Sequence, residues 1–317
     1  MQISENYYFN REYSDFDELA ENLRQWNIQI RQLQRKVNPS FIRQLSVGNM
    51  LMGHGMFSGK THQVGSSPPG RTIAFHSGKT SQLIWRNQEV SQNALMIFPS
   101  DSELDIVTKG DQNNPYTLSF PDDILASRFA ASTKSYHNLM SKHEIVFIPD
   151  YSIKKLQSVF NILFQVVVEQ PALLESKAFQ SDMEERVLSE IFQGLSLSAG
   201  SSRQEKKIKS QTWKQIETVI EGAIDSPIKV SELCQAAEIS ERTLLRMFHE
   251  RFGISPKTYL QRIRLNGARH NLKKSLPREE SVSDIANAWG FWHMGKFAAD
   301  YKKLFGELPS QTHRANL

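Results

Sequence analysis

The chain has 317 residues, 39% of them hydrophobic and 23% charged, with a net charge of +4; that is enough for two domains that each bury a core. Its one cysteine, Cys234, excludes an intrachain disulfide and a thiolate metal cluster. The amino terminus lacks a basic region followed by an apolar run, and the apolar stretch Val159–Val168 is interrupted by Asn161 and Gln165, so a soluble cytoplasmic protein is expected.

Charge is placed unevenly. Residues 1–200 carry 18 Lys/Arg against 21 Asp/Glu, and residues 201–317 carry 20 against 13. A basic block behind a slightly acidic one is the distribution expected when one part of a chain meets phosphate.

In chain order, Ser14 to Trp26 sets Phe16, Leu19, Ala20, Leu23 and Trp26 on one helical face. From Ile28 to about Val107 short apolar runs follow: Phe41–Val47, Arg71–Phe75, Gln82–Trp85, Ala94–Phe98 and Leu104–Val107. Clusters such as Gly65-Ser-Ser-Pro-Pro-Gly70 separate them. This texture predicts a β-sandwich or small barrel, continued by Tyr116–Phe120 and Ile145–Ile148. Pro121-Asp-Asp-Ile reads as a helix start. Ile153 to Val167 and Phe179 to Phe192 form two amphipathic helices, which either pack on the β-domain or offer a dimer surface. The Ser-rich, aperiodic stretch Gly194 to Ser210 reads as a linker. It divides the chain into 1–195, a linker at 196–210, and 211–317, the last expected to fold and bind on its own.

Beyond the linker, Trp213, Ile216, Ile220 and Ala223 define a leading helix, and Ser231 is placed to cap the next one. A pattern then occurs twice. Leu244, Phe248, Phe252, Gly253 and Pro256 recur as Phe297, Tyr301, Phe305, Gly306 and Pro309 at an offset of 53 residues. Leu233 to Ile239 recurs as Ile285 to Phe291 at an offset of 52. Each copy reads as a short helix, a tight turn and a longer helix with one apolar face, a helix-turn-helix at about 231–252 and 283–305. Ser240 caps the longer helix of the first copy. Its polar face carries Arg242, Thr243 and Arg246, types suited to base edges: Arg to guanine, Thr to phosphate or a thymine methyl.

Ser240-x-x-x-Leu-x-Arg-x-Phe-x-x-x-Phe-Gly-x-Ser-Pro-x-x-Tyr-x-x-x-x-Arg-x-x-x-Ala268 and Ile285-Ala-x-x-x-Gly-Phe-x-x-x-x-x-Phe-x-x-x-Tyr-Lys-x-x-Phe-Gly-x-x-Pro309 resemble the AraC/XylS family of bacterial regulators. The resemblance covers about residues 211–315. It implies an all-helical module with two helix-turn-helix units joined by a long helix from Pro256 to about Lys274; with the β-rich, cupin-like sandwich or barrel read from the first half, the chain is expected to be α+β. The resemblance further implies double-stranded DNA and RNA polymerase as partners, recognition helices in successive major grooves, and an N-terminal domain that dimerises or senses a small molecule. A homodimer and an activator role follow the same resemblance. Met96-Ile-Phe-Pro-Ser-Asp-Ser-Glu-Leu-Asp resembles a segment of such regulators.

Two departures stand out. Glu238 sits where the family often has Gly and the second copy has Gly290, so a left-handed turn there is strained or differently shaped. Arg242, Thr243 and Arg246 correspond to Gly295, Lys296 and Ala299, so the first helix is expected to dominate base readout. His293 and Lys296 remain as second-copy readers. Ser231, Ser240, Arg251, Lys257, Arg262, Trp292 and Lys302 are the phosphate candidates, and Arg264 and Arg269 are candidates for structural ion pairs. In the β-domain, His54, His62 and His76 lack the spacing of a cupin metal site and are expected on the surface or in loops. Arg71, Trp85 and His76 are possible pocket residues. No metal, cofactor or catalytic residue is expected. A metal-dependent cupin-like enzyme carrying a DNA-binding module is the alternative, and clustered ligands would be its mark.

Overall fold

The structure is a computed structural model and describes residues 6–35, 38–77, 82–100, 102–124, 144–198, 210–223, 226–276, 278 and 280–314. Strands β1 (Tyr7–Tyr13), β3 (Ser40–Val47), β4 (Met50–Ser58), β6 (Arg71–Ser77), β9 (Ala94–Phe98), β11 (Gln112–Phe120) and β12 (Glu144–Phe147) form one sheet, in the order β1-β3-β4-β11-β6-β9-β12. Strands β2 (Asn27–Gln32), β5 (Thr61–Ser66), β7 (Leu83–Trp85), β8 (Gln88–Val90) and β10 (Glu103–Thr108) form a second, ordered β2-β5-β10-β7-β8. The sheets are antiparallel and do not close into a barrel, so of the two expected forms the chain adopts the sandwich. Helix α1 (Phe16–Asn22) is shorter than the expected Ser14–Trp26: Asp15 caps its start, and it ends where Leu23 turns extended and Gln25 takes a positive φ.

Strand alternation builds the layers. Along β9, Leu95 and Ile97 join the core beneath α2 (Asp150–Glu169) and α3 (Lys177–Ser196), while Ala94, Met96 and Phe98 join the core between the sheets. That double burial is why this strand reads as an unbroken apolar run. The smaller sheet is also two-faced. Leu83, Trp85, Leu104 and Ile106 face the sandwich interior, whereas Ile84 and Val107 face outward into a third core. The expected paired helices are thus packed on their own domain. The start at Pro121 begins a helical turn over 122–124, and its continuation lies outside the described residues. Most of the expected linker, 199–209, lies outside them too; its beginning belongs to α3.

The third core is shared with the carboxy-terminal half. There α4 (Ser210–Gly222), α5 (Val230–Ala236), α6 (Glu241–Phe252), α7 (Pro256–Lys274), α8 (Val282–Ala288), α9 (Met294–Phe305) and α10 (Pro309–Arg314) follow one another. Trp213, Ile216, Phe248, Phe252 and Tyr259 pack with Leu33, Ile84 and Val107 of the β-domain. A separate core unites Leu265, Ala268 and Leu272 of α7 with Ile285, Ala286, Phe297 and Tyr301.

Polar groups tie the halves together inside this contact. Arg251, 1% exposed, donates through Nη2 to both carboxylate oxygens of Asp105 (2.6 and 2.5 Å) and through Nη1 to Glu217 (2.6 Å). Burial works against the Asp105 carboxylate, but Arg251 and His62 beside it outweigh that and hold it well below the usual range. His62 Nε2 lies 3.0 Å from Asp105 and its Nδ1 lies 2.8 Å from the Tyr259 hydroxyl. With Asp105 ionised, Nε2 carries the proton and Nδ1 accepts from Tyr259. A second tie joins Asp15 to Arg269 (2.6 Å) and to Lys273. The three histidines expected on the surface or in loops instead stand on strands. His62 and His76 are buried, and His54 stacks on Tyr116 at 4.1 Å and accepts from Arg43. Strand alternation turns each onto a covered face of its sheet, His62 against the helices of the other half, and a neutral imidazole is apolar enough to be packed there.

Burial pushes His62 down to about 4 and His54 to about 3, whereas an unfolded histidine titrates near about 6.5. Below that value the unfolded chain takes up protons that the folded chain refuses, so stability is full above about 6.5 and is lost as pH falls. The expected loss between pH 6.5 and 5 is about 2 kcal/mol per histidine. Thermal unfolding against pH should show the fall, and His62→Gln should make it shallower while leaving the His54 share; a wild-type midpoint level from pH 7 to pH 5 would contradict the assignment.

Two glycines carry opposite expectations. A Cβ on Gly267 would lie 2.0 Å from the Trp289 ring, whereas one on Gly295 meets nothing within 4 Å. Gly267→Ala should therefore cost about 3 kcal/mol or more by overpacking, while Gly295→Ala should stabilise by up to about 1 kcal/mol through helix propensity. Denaturant unfolding of both variants checks the signs.

Candidate nucleic-acid interface

The two repeated segments fold alike. In the first, α5 is followed by a turn in which Glu238 N–H donates to Gln235 O and Ile239 N–H to Cys234 O, at 3.2 and 3.0 Å. In the second, Gly290 donates to Asn287 O and Phe291 to Ala286 O, both at 2.9 Å. Glu238 adopts φ +52° and Gly290 φ +73°. The first turn is therefore not reshaped to spare its glutamate. Glu238 takes the left-handed conformation, at a cost of about 1–3 kcal/mol that the surrounding packing bears.

After the turn the copies diverge by one residue. Ile239 is followed directly by Ser240, whose Oγ accepts from Thr243 N–H (3.2 Å) and caps α6. Phe291 is followed by Trp292 and then His293, which precedes α9 without a side-chain cap. Trp292 is thus the extra residue that accounts for the change of offset from 52 to 53. It stands 70% exposed at the entrance of α9. Both long helices end on left-handed glycines, Gly253 and Gly306.

Arg242 and Arg246 are exposed on α6, and Arg246 is held only loosely, 3.9 Å from Glu250. Thr243 is half-buried, with its hydroxyl 3.0 Å from Ser240 Oγ. On the second unit His293, Lys296 and Lys302 are exposed. Lys257 is exposed in the first turn of α7, and Arg262, half-buried, has its basicity lowered by burial. Ser231 is exposed but is not a cap: α5 begins earlier, with the Glu232 carboxylate accepting from Lys229 N–H at 3.3 Å.

The expectation for Arg251 is corrected. It lies nine residues beyond Arg242, two and a half helical turns, and so on the opposite face of α6. That face is apolar and buried, and its guanidinium is spent on Asp105 and Glu217, 4.5 Å above the Trp213 ring. It has no access to phosphate in this arrangement. Arg269 is indeed a structural residue, bonded to Glu307 (2.6 Å) as well as Asp15, whereas Arg264 lies over the Phe291 ring at 5.3 Å. Asp105, Asp15 and Gln32 meet the carboxy-terminal half and carry no motif in the sequence, and His62, expected on the surface or in a loop, joins them. One signal was available for Asp105: a carboxylate between Leu104 and Ile106 on a strand must point away from the face they bury.

Residues 233–315 match the helix-turn-helix domain family. The XylDLEGF operon transcriptional activator 1 of Pseudomonas putida is 25% identical over 235 residues, 73% of this chain and 71% of that protein. The HTH-type transcriptional activator RhaS of Yersinia pestis is 31% identical over 142 residues, 45% of this chain and 46% of that one. Among solved structures, a probable AraC family transcriptional regulator from Rhodopseudomonas palustris is 33% identical, covering 33% of this chain and 97% of that one at a TM-score of 0.31. With two helix-turn-helix units on a shared central helix, the repeated sequence pattern that builds them and these relatives, residues 233–315 form a helix-turn-helix domain and the chain is similar to transcription activators of the XylS kind.

Proposed function

We propose that the chain is a sequence-specific transcriptional activator in which α6 reads base edges and α9 chiefly anchors the phosphate backbone. The observation that carries this reading is the unequal polar equipment of two equivalent helices. Arg242 and Arg246 stand exposed one turn apart on α6, while the three matching positions of α9 hold Gly295, Lys296 and Ala299. Arg is suited to bidentate contact with guanine, and a lone Lys to a phosphate. The activator role and a contact with RNA polymerase rest on the relatives, two of which are described as transcriptional activators.

In this proposal residues 1–195 bind a small effector or dimerise, and residues 211–317 bind DNA. An effector has a candidate place between the sheets, where Trp26, Ile28, Phe57, Met96, Phe98 and Leu104 line an apolar space edged by Arg43, His54 and Asn113. Arg71, Trp85 and His76 do not line it. Its volume is about 60 Å³, room for about two waters, so an effector has to part the sheets to enter. The alternative of a metal enzyme has less to stand on. His54, His62 and His76 occupy three different strands, and no group of three or more His, Cys, Asp or Glu among the described residues is arranged to hold an ion. The fragment 211–317, cut from the rest, loses Leu33, Ile84 and Val107 from its first core and Asp105 from Arg251. It is expected to be less stable than the same residues in the full chain.

Arg246→Ala should cost about 1–3 kcal/mol on the preferred duplex and relax preference at one or two base pairs. Lys296→Ala should weaken binding evenly across sequences and lower the log–log salt slope by about one. Titrations at several salt concentrations against single-base variants of the duplex decide it: relaxed base preference in Lys296→Ala, with preference intact in Arg246→Ala, would reverse the roles.

A further inference from the structure

The two helix-turn-helix units have separate cores, one around Trp213, Phe248 and Tyr259, the other around Ala268, Phe297 and Tyr301. Helix α7 is the element common to both. The β-domain touches each unit independently. It reaches the first through Asp105, which binds Arg251 at the carboxy-terminal end of α6, and Lys109 donates to the Glu250 carbonyl beside it. It reaches the second through Gln32, whose Nε2 donates to Leu304 O near the end of α9 (2.8 Å). Asp15 adds to this by binding Arg269, which in turn holds Glu307 just beyond α9. Between these points Gln32 N–H donates to Asn266 Oδ1 (2.8 Å) and Asn266 Nδ2 donates to Gln32 O (3.0 Å). The side-chain amide of α7 thus pairs with the open edge of β2 as a strand would.

These contacts with α6 and α9 lie at their carboxy-terminal ends, and the candidate readers Arg242, Arg246, His293 and Lys296 are left exposed. The β-domain therefore braces the reading helices without covering them.

We propose that Asp15, Gln32 and Asp105 are positioning residues for DNA recognition: the small sheet spans both units and fixes α6 relative to α9, so that the full chain accepts its two DNA segments at a single spacing. This rests on the reading that both helices enter DNA. Inserting one base pair moves the second segment by about 3.4 Å and turns it by about 35°. Two units tied only through α7 can follow such a step by flexing; two units pinned to one sheet cannot.

The test uses the full-length chain and a duplex selected from a random library by the wild-type protein. Copies carrying one and two extra base pairs between the two protected segments complete the series. Asp15→Asn keeps the oxygen that caps α1 (2.8 Å from Asp17 N) and removes the charge that faces Arg269 and Lys273. Gln32→Ala removes the donor to Leu304 and leaves the backbone pairing with Asn266. The wild type is expected to lose at least about tenfold in affinity for one inserted pair, and the Asp15→Asn/Gln32→Ala double variant less than about threefold, with base preference unchanged. Thermal unfolding shows whether the double variant is folded. If it is not, Gln32→Ala alone serves and is expected to show a reduced spacing penalty. A folded variant that keeps the full wild-type penalty, or a wild type with none, overturns the brace. Arg246→Ala separates the two ideas, because it alters base preference at every spacing. Protection of one segment only would instead defeat the two-groove reading, and the brace with it.

Discussion

A guanidinium out of water must be matched by anions placed within hydrogen-bond reach, and Arg251 meets that condition only when both halves of the chain are docked. Glu217 comes from its own half and Asp105 from the β-domain, both at about 2.6 Å or less. Breaking such a buried pair by removing one partner costs about 3–5 kcal/mol. Around it lie Trp213, Phe252 and Tyr259, which would otherwise be uncovered, and the apolar contribution of Val107 and Ile84. The first helix-turn-helix is thus completed by residues more than 100 positions earlier in the chain. Glu217 shows the strain of the arrangement: burial pushes its carboxyl up, Arg251 opposes this, and Asp105 adds to it.

The same physics gives the small sheet its double role. Side chains alternate across a strand, so Gln63, Leu104 and Ile106 face the space between the sheets while His62, Asp105 and Val107 face the DNA-binding helices. One strand's thickness separates the apolar space between the sheets from the groups that hold α6 and α7. Any change that parts the sheets from within has Asp105 and His62 as the immediate neighbours on the outer face. Both are held by several bonds at once, which makes the docked arrangement discrete rather than gradual.

The two recognition units show how a repeat diverges without losing its fold. Phe248 and Tyr301 are fully buried at equivalent positions, and both turns use the same hydrogen bonds. What changed is what leaves the core untouched: Glu238 in a left-handed turn that glycine fills elsewhere, Trp292 as an added residue, and Gly295 and Ala299 where the first helix carries two arginines. Gly267 is the opposite case. The Trp289 ring lies where its side chain would be, so the second unit seats on α7 only because that position is bare.

The sequence by itself determined the two helix-turn-helix units, the long helix between them, the amphipathic pair at 150–196 and most strands of the sandwich. Each of these is a local pattern: a period of 3.6 or 2, a cap such as Ser240, a terminating glycine. It also exposed the asymmetry of the two reading helices, since an internal repeat allows position-by-position comparison. Tertiary structure alone decided the partners of Arg251, His62 and Asp15. The period of α6 puts Arg251 on the apolar face with Leu244 and Phe248, but nothing local supplies the anions it meets there. Its partner Asp105 is 146 residues away, and Asp15 is 254 residues from Arg269. The histidines look polar in sequence, yet strand direction and layer order turn them onto covered faces, where burial keeps them neutral. Pairings at such separation leave no periodic trace, because they depend on how finished layers dock and not on how any one segment folds.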